Sequence, residues 1–261
     1  MTGLSSLLHR PAARSPRSRF WEIDSLRGIA IVMMVVYHLM WDLWYFRVLP
    51  DVALYTGFWK YFQRTTATLF ITLVGVSLAV MAMRLRGPNQ EHPLPFRPFL
   101  ARGLRIFGWG MVVSLVVWAA RVGYVHFGVL HLIGFSIVAA YPFLGYRWLN
   151  LALWALFNVA GYLLLPLRFD FPWLLWLGLE PVAYYPNDYF PVIPWFGVVL
   201  LGIFLGNTFY RPQGRRLALP DGSTWLPLRG LQWLGRHSLP IYLVHQPLLF
   251  ALLAATGIIR L

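Results

Sequence analysis

The 261-residue chain contains no cysteine, so disulfides, thiol nucleophiles and thiolate metal sites are excluded together. Lysine occurs once, at Lys60, and Asp and Glu together number nine. Covalent or proton-transfer chemistry must therefore draw on His, Ser, Thr, a few carboxylates or that one amine. Charged residues of all kinds make up only 12% of the chain, too few to solvate an ordinary soluble surface. No internal repeat or low-complexity tract occurs, so an inverted-repeat transporter has no support. His38, Asp42, His131 and His245 are chemically able to ligate a metal. No HExxH or comparable spacing joins them, and no metal is expected.

What is present is apolar. Hydrophobic residues make up 59% and aromatics 17%, and the mean hydropathy is +0.61. Apolar runs of about 20 residues between arginine-bearing loops define an all-α integral membrane protein rather than a soluble β-barrel or α/β protein. Spans are expected at about 23–46, 58–83, 104–120, 124–145, 148–166, 191–210 and 237–258, a polytopic bundle of about seven transmembrane helices. The net charge of +13 belongs to arginines beside these spans, not to a soluble basic face, so nucleic acid is not an expected partner. A cytoplasmic N-terminus places 16 of the 22 Lys and Arg on the inner side, in keeping with the positive-inside rule. Residues 1–19, with Arg10, Arg14, Arg17 and Arg19 among Ser, Pro and Ala, read as a disordered basic cytoplasmic tail. No small-residue cleavage site follows the apolar stretch, so a removed signal peptide is not expected.

The first span, FWEIDSLRGIAIVMMVVYHLMWDLWYF, holds Asp24, Arg27, His38 and Asp42 in apolar surroundings. At about 100° per residue, Arg27 and His38 lie roughly 20° apart and Asp42 follows one turn later, so the three share a face. A charge near the middle of a membrane helix costs about 2.5–3.5 kcal/mol and faces a protein interior or wet cavity. One such group could merely pin helices together. Three on one stripe favour a site, and a His with an Asp at i+4 is one way to orient a general base. Helical rise places His38 ~12 Å and His131 ~10 Å from the outer ends of their spans, and His245 ~12 Å from the inner end of its own. These levels overlap enough for one cavity to collect the three.

Two connections add candidates. The inner segment 84–105 combines arginines with Pro and Gly and suits an anion, although each arginine also serves as an orientation signal. The outer segment 167–190 sets Asp170, Glu180, Asn187 and Asp188 among aromatics, which suits a sugar, although an interfacial Trp and Tyr belt has the same composition.

The stretch IDSLRGIAIVMMVVYH, with FGVLHLIGFS, DYFPVIPWFGVVLLG and LGRHSLPIYLVHQPLL in the same order, resembles the transmembrane acyltransferase superfamily. Within it the chain looks like bacterial relatives of the heparan-α-glucosaminide N-acetyltransferase catalytic domain, with 20–261 forming one transmembrane acyltransferase domain. The resemblance implies acyl transfer across a membrane, from a cytoplasmic acyl-CoA, usually acetyl-CoA, to a sugar or glycan acceptor on the other side. It puts His38 in the place of the catalytic histidine and Arg27 in that of its paired arginine. The lysosomal enzyme has Asn where His38 stands and its active histidine in the following loop. This chain has no histidine between His38 and His92, so the resemblance leaves N- and O-acylation open. The membrane it implies is the bacterial cytoplasmic one.

The residues allow the same chemistry. Histidine suits the base because its reference pKa of about 6.5 lies near working pH. In this reading Asp42 fixes the His38 tautomer, and Arg27, ~16 Å below, holds the CoA. Arg102 and Arg105 are candidates for its phosphates, and Asp188 for the sugar. His131, His245, Gln246 or Tyr242 would supply the oxyanion donor. A covalent acetyl-His38 is the mechanistic rival. Two other classes fit the polar stripe: a proton-coupled carrier or lipid-linked sugar flippase, and an assembly subunit whose polar groups only fix packing. Nothing in the sequence specifies the oligomeric state, and a homodimer is compatible with it.

Overall fold

The computed structural model describes residues 19–87, 92–182, 184, 188–212, 214–220, 222 and 224–259. The expected tail, except Arg19, and Asn187 of the outer segment lie outside them. The architecture is all-α: α1 (Trp21–Tyr45), α2 (Gly57–Arg86), α3 (Arg97–Ala119), α4 (Val129–Ala139), α5 (Trp148–Leu164), α6 (Val192–Phe209), α7 (Leu226–Arg236) and α8 (Ser238–Ala255). A two-stranded hairpin, β1 (Tyr210–Arg211) and β2 (Gly214–Arg215), links α6 to α7.

Helices α1, α2, α3, α6 and α8 are long and apolar enough to cross a membrane, whereas α4 and α5 are shorter apolar helices. The run expected to span about 124–145 forms only 11 residues of α-helix, followed by a 3-10 turn at Tyr141–Phe143. Its first residues are diverted: Phe127 pairs with Tyr189, and its carbonyl accepts the Phe190 N–H. Helix α7 was not expected from hydropathy, because its apolar residues alternate with Arg229, Gln232 and Arg236.

Close backbone approach holds the bundle together. A Cβ on Gly75 of α2 would strike the Val199 carbonyl of α6, and one on Gly202 of α6 would strike the Thr72 carbonyl of α2. Likewise Gly28 of α1 lies under the Leu231 carbonyl and Gly235 of α7 under the Asp24 carbonyl. Small residues let apolar helices gain dispersion contacts that lipid would otherwise supply equally well. The main core is shared by α2, α3, α4 and α6, with Ile71, Leu78, Phe99, Leu132, Ile137, Leu200 and Ile203 buried. Helix α8 buries only His245, Leu249 and Leu253 and leaves Val244, Leu248 and Leu252 exposed. That pattern fits a helix facing lipid on one side and the site on the other.

Candidate active site

Toward the Trp21 end of α1, a cavity of about 330 Å³ is lined by Arg19, Arg27, Arg84 and Arg102, with Asp24 as its one acidic residue. Arg27 donates to Asp24 Oδ1 at 3.1 Å and to Ser77 Oγ of α2 at 2.8 Å. The buried Asp24 carboxylate also meets Arg236 of α7 at 3.4 Å. Two guanidinium groups thus hold one carboxylate in place, and Arg27 is fixed before any ligand arrives. Glu22 does not dilute the charge of the cavity, because Arg215 grips it through Nε and Nη2, both at 2.7 Å. Of the expected phosphate ligands, Arg102 lines this cavity and Arg105 does not. Sequence reasoning missed Arg19, Arg84 and Ser77 as site residues. In the sequence the two arginines read as tail and orientation signals, and the local clue to Ser77 is a hydroxyl in the apolar run of α2.

About 16 Å along α1, the second cluster joins α1 to α8. The His38 and His245 rings meet edge-on with centroids 4.7 Å apart. His38 Nδ1 lies 2.9 Å from the Met34 carbonyl and His245 Nδ1 lies 2.6 Å from the Tyr242 carbonyl. A carbonyl only accepts, so each neutral ring carries its proton on Nδ1 and presents a bare Nε2. The tautomer of His38 is therefore set by its own helix backbone. Asp42, expected to set it, instead accepts the side-chain amide of Gln246 across the helix pair. His38 is half-buried, while Asp42 and His245 are buried.

His131 belongs to a neighbouring cluster. It is 2% exposed and packs between Phe107 and Phe127. The Gly128 N–H donates to its Nδ1 at 3.2 Å, so its proton sits on Nε2, where it has no partner among the described residues. His131, Asp188 and Tyr242 border one narrow gap, and the Tyr242 ring lies 5.6 Å from that of His245. The three histidines are thus strung along adjacent groups rather than gathered in one cavity. Among the described residues no three His, Asp or Glu come together as a metal site.

Asp188 accepts the Val129 N–H at 3.2 Å and so caps the start of α4. Burial raises its pKa from 3.8 to about 6, with that hydrogen bond opposing the shift. A raised carboxyl pKa means the charged form burdens the fold. The stability it contributes is fully present below pH ~4 and is lost as pH rises through about 6. Asp188→Asn keeps the acceptor without the charge. Thermal melts of wild type in detergent should therefore lose on the order of 1–2 kcal/mol between pH 5 and pH 8 that the variant retains. Equal pH slopes for the two proteins would refute this.

These features describe a helical, membrane-embedded protein with a basic cavity at one level and a pair of facing imidazoles at another. The family model described as heparan-alpha-glucosaminide N-acetyltransferase, catalytic, matches residues 19–247, and the chain belongs to that family of transmembrane acetyltransferases. No curated protein matches the chain, and neither does any solved structure.

Proposed function

We propose that the protein moves an acetyl group from cytoplasmic acetyl-CoA to an amino or hydroxyl group of a sugar on the other face of a bacterial cytoplasmic membrane. The observation that carries this is the placement on α1 of Arg27, one of four arginines lining a cavity, and His38, with its bare imidazole nitrogen, about 16 Å further along the same helix. With the N-terminus cytoplasmic, as the arginine distribution favours, the cavity opens toward the compartment that supplies acyl-CoA. Its guanidinium groups match phosphate oxygens, and its volume falls in the range of small-ligand pockets. A pantetheine arm is long enough to cover the distance to His38.

His38 Nε2 takes the proton from the attacking amine or hydroxyl and returns it to the departing thiolate sulfur. Charge on the former carbonyl oxygen needs a donor. Neutral His245 can only accept through Nε2, and one Gln246 N–H is spent on Asp42, so the donors are Tyr242, the His131 Nε2–H and the second Gln246 N–H. Of the two rings, Tyr242 lies beside His245, with centroids 5.6 Å apart.

The difference between Arg102 and Arg105 tests the donor site. In acetyl-CoA titrations of purified protein, Arg102→Ala should weaken binding about tenfold, the loss of one charge-assisted contact. Arg105→Ala should leave it unchanged. Equal effects of the two variants would place the donor elsewhere.

A further inference from the structure

Asp42 is fully buried, and no Arg, Lys or His forms an ion pair with it among the described residues. Its Oδ1 accepts the Gln246 amide N–H. Its Oδ2 and the Gln246 Oε1 are both buried, and among the described residues neither has a partner. Each is an acceptor, so an ionised carboxylate would leave two lone-pair atoms unsatisfied and an uncompensated charge between two apolar helices. The titratable neighbours do not relieve this. His38, one turn back on α1, and His245, one residue before Gln246 on α8, both direct Nδ1 at main-chain carbonyls and present Nε2 as further acceptors. What the cluster lacks is one donor.

We propose that Asp42 is a neutral carboxylic acid whose Oδ2–H donates to Gln246 Oε1, closing a planar acid–amide ring with two hydrogen bonds. The ring fixes α8 against α1 and so sets His245 beside His38, making Asp42 a positioning residue. Protonation and pairing do not rest on the acetyltransferase reading. Only the effect on turnover does.

Infrared difference spectra of the full chain at pH 7, wild type minus Asp42→Asn, read the proton directly. The expected result is a protonated carboxyl C=O band that shifts in D2O and is absent from the Asn variant. In Gln246→Leu that band moves to higher frequency, because its C=O loses a hydrogen bond. Asn can form the same ring, with Nδ2–H donating to Gln246 Oε1, whereas Leu cannot. Asp42→Leu should therefore lower turnover at least tenfold and Asp42→Asn restore it to within about threefold of wild type. A carboxylate band in place of the acid band overturns the proposal. So does an Asn variant that fails to fold, or one that folds and binds donor yet remains about 10²-fold impaired, since a charge would then be required. If wild type transfers no acetyl group, the spectra still decide the protonation state.

Discussion

Replacing His38 by alanine is expected to lower acetyl-transfer turnover by about 10²–10⁴-fold while donor affinity stays within about twofold of wild type. The size of the effect follows from what Nε2 does. The Met34 carbonyl commits the ring to one tautomer, and the neighbouring imidazole, His245, lies against it edge-on with its own Nδ1 on the Tyr242 carbonyl. Donor affinity is spared because the arginine cavity lies about 16 Å away along α1 and includes no atom of His38. The same variant separates two mechanisms. With a covalent acetyl-His38, radiolabelled acetyl would remain on wild-type protein in the absence of acceptor and be missing from the variant, with ping-pong kinetics. Direct transfer leaves no label on either.

Arg27→Ala should produce the opposite split. Donor Kd rises about 10–100-fold, the value of a buried charged contact, and kcat at saturating donor falls much less, because the interaction is made equally in the ground and transition states. Arg27 is held on both sides, by Asp24 and Ser77, and a fixed guanidinium loses little freedom when a phosphate arrives. Removing it leaves Asp24 with Arg236 alone and the cavity with three arginines instead of four. Arg27→Lys should recover only part of the affinity, since an ammonium lacks the planar fork. An unchanged Kd in Arg27→Ala would remove the cavity from the donor site.

The first helix was legible in the sequence because the membrane makes its polar residues conspicuous. A charged stripe in a long apolar run has few structural excuses, and the spacing of Arg27 and His38 placed them on one face before any fold was known. The partners of that stripe were not legible. His38 could turn forward to Asp42 or back to the Met34 carbonyl, and helix geometry offers both. Asp42 found Gln246, 204 residues away, and no local pattern marks such a pair.

Arg102 and Arg105 illustrate the same limit. They lie three residues apart on α3, about 60° around its axis, and only one faces the junction of α1 and α2. Helix α7 was hidden because LPLRGLQWLGR alternates polar and apolar at helical period, which lowers hydropathy while still building a face for Gly28. The expected fourth span was shortened by tertiary pairing, the Phe127 and Tyr189 bridge, against a strongly apolar local sequence.

The most direct test of the account is sided transfer by the reconstituted protein. Wild type and His38→Ala are placed in liposomes with an amino sugar enclosed and radiolabelled acetyl-CoA added to the face that exposes the arginine cavity. The account predicts labelled sugar inside vesicles bearing wild type, and a rate lower by about 10²–10⁴-fold with His38→Ala. Labelled sugar accumulating equally with both proteins would contradict the role of His38. Sugar crossing the bilayer unlabelled, in the absence of any acyl donor, would contradict acetyl transfer itself and make the polar stripe a transport path.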